Sequence, residues 1–110
     1  MMGNILLAMY SYFEYISFMK FIVDMSSVKK ELTKVPDYIA HKAQIWADMV
    51  EKEGLFAVQK VPGFRDHSLK GDRKGQRSVY LNKQWRLIYT INKKNEITLI
   101  KVEEVMPHDY

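Results

Sequence analysis

Residues that could hold a phosphate group are concentrated in one stretch of the chain. Residues 65–77 read RDHSLKGDRKGQR, and one more arginine, Arg86, stands in the strand-like run that follows. Guanidinium groups bind phosphate oxygens through two parallel hydrogen bonds, and ammonium groups bind them as point charges. We therefore expect an anionic partner at this stretch, and a phosphate backbone is the commonest large partner of that kind.

The distribution of charge supports this expectation more strongly than the total charge does. The chain has 17 Lys and Arg residues against 13 Asp and Glu residues, a net charge of +4 and a pI near 9.2. Residues 60–94 hold ten basic residues against only Asp66 and Asp72, so this segment carries +8 and the rest of the chain −4. Such a polarised distribution concentrates anions on one side of a protein.

The same basic residues could instead have a structural role, in ion pairs within the fold. A single surface cation is ordinary, whereas an arginine inside a strand needs an anionic partner because burying its charge alone is costly. Glu103 or Glu104 could supply that partner and make the arginines part of a structural ion pair. Arg77 and Arg86 flank a predicted turn at 82–84, so both explanations place them on neighbouring strands.

Several kinds of chemistry are excluded by what the sequence lacks. Without cysteine there is no disulfide framework, no thiolate nucleophile and no cysteine-ligated zinc. The absence of cysteine is also consistent with a protein of a reducing compartment. No glycine-rich phosphate loop, HExxH motif, nucleophile-elbow serine or EF-hand loop is present. His41, His67 and His108 are far apart in sequence, so we expect no histidine metal site.

One α+β domain is expected to position these residues, because 110 residues suffice for one domain. Pro36 and Gly54 bound the longer predicted helix. Its apolar stripe recurs at helical spacing, at Ile39, Ala43, Trp46 and Val50. The predicted elements are a strand at 19–24, helices at 26–35 and 36–53, a mostly irregular stretch at 55–75, and strands at 76–82, 84–91 and 96–102. This β-α-α-β-β-β order predicts a helical pair packed on a small antiparallel sheet.

Residues 1–18, MMGNILLAMYSYFEYISF, form an apolar N-terminal extension before the predicted domain at 19–110. The extension lacks the basic start of a signal peptide, and Glu14 interrupts it too early for a membrane span. Its role stays open among an added helix, an oligomerisation arm and an upstream start. Its exposed apolar side chains would form an unusually large patch, so we expect something to cover them.

From Met19 to Tyr110 the chain resembles the RelE/ParE superfamily of bacterial toxins, and within it the HigB-like or RelE-type mRNA interferases. The resemblance begins with the MKFIVD strand and the helical pair, and it continues with LKGDRKGQRS at 69–78. WRLIY at 85–89 follows, and then VEEV at 102–105 leads to the terminal PHDY. The match covers about five-sixths of the chain and leaves residues 1–18 outside.

The resemblance implies the toxin of a type II toxin–antitoxin system, a cytoplasmic endoribonuclease that cleaves mRNA in the ribosomal decoding site. It implies no metal, no other cofactor and no membrane partner, and it implies a cognate antitoxin, often a HigA-like helix-turn-helix protein. In such enzymes the 2′-hydroxyl attacks the adjacent phosphorus. This reaction requires a base, an acid and cations that stabilise the charge developing on the phosphate.

The resemblance also assigns residues to these tasks. The implied catalytic residues are Lys70, Arg73, Arg86, His108 and Tyr110. The implied RNA-binding residues are His67, Lys74, Arg77 and Lys83. His108 would transfer a proton, with His67 as a second candidate, while Tyr110 would stack on a base or donate a proton and Asp109 would orient its neighbour. Which group is the base and which the acid stays open.

Two alternative functions remain at this point. A ParE-type toxin shares the fold but inhibits DNA gyrase and cuts no RNA, and it would need no His108 and Tyr110 pair. A catalytically inactive RNA- or protein-binding module would bind with a steep salt dependence and leave RNA intact.

Overall fold

Five strands and three helices make up residues 19–107, the part of the chain that the computed structural model describes. The strands are β1 (Lys20–Asp24), β2 (His67–Ser68), β3 (Arg77–Tyr80), β4 (Trp85–Lys94) and β5 (Ile97–Pro107). The helices are α1 (Lys29–Lys34), α2 (Asp37–Glu53) and α3 (Leu55–Gln59). Short 3-10 turns lie at Ser26–Val28, Pro62–Phe64 and Gly71–Arg73. The predicted extension at 1–18 and the predicted catalytic residues His108 and Tyr110 lie outside the described residues.

The strands form one mostly antiparallel sheet in the order β1-β5-β4-β3-β2. The predicted α+β fold, with a helical pair on a small sheet, is confirmed. One pair departs from the antiparallel prediction, because β1 lies parallel to β5. A parallel pair needs a long connection, and here residues 25–96, with all the helices and three strands, separate β1 from β5.

Helix α2 supplies the helical half of the core. It begins after Pro36, whose fixed backbone angle suits a helix start, and it ends at Gly54, whose φ of 87° few other residues adopt. The whole predicted stripe is buried, at Ile39, Ala43, Trp46 and Val50. The Trp46 ring packs on the ring of Tyr89 in β4 with centroids 5.1 Å apart. No helix within residues 19–107 is long and apolar enough to cross a membrane.

The stretch at 55–75 is more ordered than its sequence indicates. Helix α3 buries Leu55 and Val58, and β2 pairs with β3 through only two residues. A five-residue helix is too short to show an apolar period, and a two-residue strand exists only through its pairing with a distant segment. Both elements were therefore missed by the sequence prediction.

A β-bulge determines which side chains of β5 face the helices. Ile88 pairs with Glu104 but Tyr89 pairs with Val102, so one residue of β5 is left without an opposite partner. This extra residue shifts the alternation of side chains, and as a result Val102 and Val105 both join the core that α2 covers. Glu104 and the residue after Val105, Met106, then lie on the other face of the sheet.

A buried carboxylate fastens the segment after α3 to the sheet. Asp66, whose side chain is 1% exposed, accepts hydrogen bonds from Arg77 Nε at 2.7 Å and from the Tyr89 hydroxyl at 2.6 Å. The Tyr89 hydroxyl in turn accepts a hydrogen bond from Gln59 Nε2 at 3.0 Å. Arg65, at a φ of 44°, turns the backbone into this position. The network thus connects α3, the segment before β2, β3 and β4.

The protonation of this network follows from its burial. Burial raises the pKa of the Tyr89 hydroxyl, and its hydrogen bond to Asp66 raises that pKa further. Partial burial lowers the pKa of Arg77, but the hydrogen bond and the charge of Asp66 outweigh this effect and raise it. Tyr89 therefore stays neutral and Arg77 stays charged throughout the physiological pH range.

We expect Asp66→Ala to lower the free energy of unfolding by about 3 kcal/mol, because it leaves Arg77 without its partner and the Tyr89 hydroxyl without its acceptor. Urea unfolding of the purified full chain measures the change. Asp72→Ala is the matched control, since Asp72 is exposed, and it should cost less than about 0.5 kcal/mol. Equal costs for the two variants would show that the network does not stabilise the fold.

Candidate functional site

Two arginines from different parts of the chain converge on the sheet face opposite the helices, which we call the loop face because the 69–76 segment reaches over it. Arg86 in β4 pairs with Met106 in β5 on this face. Its Nη2 lies 4.0 Å from Met106 Sδ, and its buried Nε has no hydrogen-bond partner within residues 19–107. Arg86 also takes part in no ion pair within residues 19–107, and a strand arginine without a carboxylate partner is suited to binding an anion.

Arg73 reaches the same place from the 3-10 turn between β2 and β3. Its Nη1 donates to Gln76 Oε1 at 2.9 Å and to Glu104 Oε1 at 3.2 Å. Its Nη2 lies 3.4 Å from Glu104 Oε2 and 3.9 Å from Met106 Sδ. The Met106 sulfur therefore contacts both arginines, and each guanidinium group has a nitrogen within 4.0 Å of it.

One row of side chains crosses the loop face from the edge strand β2 to β5. The register places His67, Ser78, Ile88 and Glu104 in this row. Ser78 and Ile88 in the middle of the row are buried, whereas His67 at the edge is exposed. Arg73 bonds to the far end of the row, which accords with its loop crossing above the two buried residues.

His67 has one ring nitrogen fixed and one available. Its Nδ1 lies 2.8 Å from the carbonyl oxygen of Arg65. Because a carbonyl oxygen only accepts, Nδ1 must carry the hydrogen, and the neutral ring then presents the lone pair of Nε2. An exposed imidazole with this lone pair is able to accept a proton from a bound molecule.

Arg77 lies on the other face of the sheet from Arg86, although the two residues are on neighbouring strands as predicted. Arg77 pairs with Tyr89, three positions beyond Arg86, and an odd step along a strand changes the face. Its partner is Asp66, not the predicted Glu103 or Glu104. Glu104 instead pairs with the loop residue Arg73.

The predicted lysines lie at the surface. Lys70 and Lys74 are exposed on either side of the 3-10 turn that carries Arg73, and Lys83 is exposed in the connection between β3 and β4. The ion pairs found within residues 19–107 include none of the three. The structure thus brings together Arg73 and Arg86, with His67 on the same face and Lys70 and Lys74 on the adjoining loop.

Sequence reasoning missed Met106 and the role of Asp66. No local pattern shows that a methionine stands between two arginines, since the contact joins the loop to two strands. The sequence does give one indication that Asp66 pairs with a basic residue, because it is one of only two acidic residues in the basic segment at 60–94. Among residues 19–107, no group of three His, Asp or Glu side chains lies close enough to hold a metal ion.

Comparison with known proteins identifies the fold. No protein-family model matches the chain, and no curated protein sequence matches it. Solved structures do match the chain. One of them is a chain of the DinJ–YafQ toxin–antitoxin complex of E. coli, with 22% identity and a TM-score of 0.56. That match covers 82% of this chain and 92% of the other.

Two further structures agree with this match. The RelBE2 toxin–antitoxin complex of Mycobacterium tuberculosis matches with 15% identity and a TM-score of 0.56, over 82% of this chain and 100% of the other. The YoeB/ParE toxin of Agrobacterium tumefaciens matches with 18% identity and a TM-score of 0.54, over 83% of this chain and 100% of the other. The chain therefore has the RelE-like toxin fold.

The contact of His67 with the Arg65 carbonyl yields a direct prediction. When the His67 imidazole is neutral, we expect its hydrogen to be on Nδ1. Nitrogen-15 NMR of the imidazole rings distinguishes this form from the form with the hydrogen on Nε2. His41 on α2 is the control, because it is exposed and has no hydrogen bond within the described residues. An Nε2–H signal from neutral His67 would contradict the geometry described above.

Proposed function

We propose that this chain, which has the RelE-like fold, is the toxin of a type II toxin–antitoxin system and cleaves mRNA without a metal ion. The observation that carries the proposal is Arg86, a strand arginine on the loop face that takes part in no ion pair within residues 19–107. Arg73 stands beside it, and the two basic groups meet at Met106. Two neighbouring guanidinium groups can donate to the same phosphodiester, because its oxygens accept several hydrogen bonds at once.

The proposed reaction is an internal transfer on the RNA strand. The 2′-hydroxyl oxygen attacks the adjacent phosphorus, and its proton passes to a base. The bond from phosphorus to the 5′-oxygen breaks, and that oxygen takes a proton from an acid. The products are a 2′,3′-cyclic phosphate and a 5′-hydroxyl, so no other reactant is consumed.

Arg86 and Arg73 are assigned to the phosphate. Negative charge builds up on the non-bridging oxygens during the attack, and donors fixed beforehand stabilise it better than mobile water does. Arg86 is fixed by its strand, and Arg73 is held over the loop face by its hydrogen bond to Gln76. Lys70 on the loop keeps its predicted catalytic role as a third cation for the reacting phosphate, and Lys74 and Lys83 are assigned to the neighbouring phosphates of the strand.

His67 is assigned to proton transfer, because its Nε2 lone pair is free and its ring lies on the same face as Arg86. His108 and Tyr110 lie outside the described residues, and they stay in the proposal as the second proton-transfer group and the base-stacking group. Arg77 receives a positioning role instead of the predicted RNA contact, since it holds Asp66 next to His67 in the chain.

The proposed partners are the mRNA in the ribosomal decoding site and an antitoxin. The matched structures from E. coli and M. tuberculosis are described as toxin–antitoxin complexes. We extend this assembly to the present chain, and a HigA-like helix-turn-helix protein is the proposed antitoxin. The proposed compartment is the cytoplasm, where translating ribosomes are found.

Induced expression of the wild type in bacteria should arrest growth and create new mRNA 5′ ends, and Arg86→Ala should lose both effects. We expect Arg86→Ala to lower the cleavage rate by about 100-fold to 1000-fold, the usual cost of removing one donor from a developing anion. Mapping of mRNA 5′ ends, together with growth curves, measures both quantities.

Lys93→Ala is the matched control for this experiment, because Lys93 is an exposed cation near the far end of the β4–β5 hairpin. It removes the same charge and should cleave at the wild-type rate. Growth arrest without new RNA ends would replace the proposal with gyrase inhibition. Absence of arrest by the wild type would replace it with a binding module.

A further inference from the structure

A carboxylate holds one of the two arginines of the proposed phosphate site. Glu104 holds Arg73 with both oxygens, at 3.2 Å from Nη1 and 3.4 Å from Nη2. This two-point contact is the same arrangement that a phosphate group takes on a guanidinium. Glu104 also stands two positions before Met106 on the same face of β5, and the Met106 sulfur lies near both Arg73 and Arg86.

The donors of Arg73 that face the site are already in use. Nη1 donates to Gln76 and Glu104, and Nη2 contacts Glu104 and Met106. A phosphate group can take a two-point contact with the Nη1 and Nη2 edge of Arg73 only where Glu104 gives up its own contact. The pair is built for such an exchange, because the Arg73 and Glu104 side chains are 35% and 37% exposed, and ion pairs at this exposure are weak.

The second arginine–carboxylate pair of the domain differs in this respect. Asp66 is 1% exposed and also receives the Tyr89 hydroxyl, so its pair with Arg77 is permanent. Burial strengthens a pair that is fully satisfied, and it makes the loss of either partner costly. The domain thus has one fixed pair on the helix face and one exchangeable pair on the loop face.

We propose that Glu104 is an internal competitor of the substrate, a carboxylate that occupies Arg73 until an RNA phosphate displaces it. This inference rests on the function proposed above. The displaced carboxylate stays on β5 beside the site, where it repels any phosphate placed on that side. Glu104 therefore lowers the affinity for RNA, and it directs the RNA backbone away from β5, towards β3 and the basic loop.

Glu103 provides a matched comparison on the same strand. It accepts a hydrogen bond from the Thr90 hydroxyl at 2.9 Å and lies 3.8 Å from Lys101 Nζ. Its neighbours therefore differ from those of Glu104, although the two substitutions Glu103→Gln and Glu104→Gln change the net charge equally. Any difference between the variants reports the contact with Arg73 and not the total charge.

Two probes test the inference on the purified full chain. The first is a fluorescent 2′-O-methyl RNA oligonucleotide, which has no attacking hydroxyl, and its binding is followed by anisotropy. The second is inorganic pyrophosphate, followed by calorimetry. We expect Glu104→Gln to bind both probes about fivefold more tightly, because the exposed Arg73–Glu104 ion pair no longer has to be broken when the ligand binds. Glu103→Gln should change either affinity by less than about twofold.

The double variant Arg73→Ala/Glu104→Gln tests whether Glu104 acts through Arg73. With Arg73 absent there is no ion pair to break and only the weaker, screened repulsion by the carboxylate remains, so we expect Glu104→Gln to add less than about twofold in that background. Glu104→Ala, which also removes the competing carboxylate, should tighten binding in the same direction as Glu104→Gln.

Three results would overturn the inference. Equal gains from Glu103→Gln and Glu104→Gln would show that only net charge matters. Weaker binding by Glu104→Gln would show that Glu104 positions Arg73 for the substrate. Failure of every variant to bind pyrophosphate would show that Arg73 is not a phosphate site. Tighter pyrophosphate binding by Glu104→Gln, together with no new mRNA 5′ ends when the wild type is expressed, would support the competitor and refute the proposed function.

Discussion

The buried carboxylate of Asp66 is the interaction on which the arrangement of the domain depends. The segment between α3 and β3 contains only one two-residue strand, so regular secondary structure contributes little to its position. Asp66 compensates by joining Arg77, Tyr89 and, through Tyr89, Gln59. A carboxylate removed from water has to find such partners, since an unpaired charge in that place would cost more than the fold gains elsewhere. His67 follows directly in the chain, and its position is therefore a consequence of the network.

The division of the sheet into two faces is the second constraint. The helices cover one face, and the bulge in β5 keeps its apolar residues on that side through Val105. The same bulge places Glu104 and Met106 on the loop face beside Arg86. A strand without the extra residue would exchange these two sets of side chains, because the faces alternate at every step. The composition of the proposed site is thus tied to the packing of the core.

The sequence predicted the features that depend on local periodicity. The stripe of α2 and the strand around WRLIY follow from spacing alone, and both are present as expected. The partners of the arginines could not be predicted in the same way. Whether Arg77 shares a face with Arg86 depends on the register between β3 and β4, and one residue of slippage reverses the answer. The pairing of Glu104 with Arg73 depends on a loop that folds across two strands, which no local pattern encodes.

The central claim is that the loop face, and not the helix face, receives RNA at Arg73 and Arg86. Chemical-shift mapping of the isotope-labelled full chain with a 2′-O-methyl RNA oligonucleotide tests it most directly. RNA bound at the loop face should give the largest changes at the guanidinium groups of Arg73 and Arg86 and at the Met106 methyl group, with little change along α2. Changes concentrated on α2, with the signals of both arginines unmoved, would contradict it.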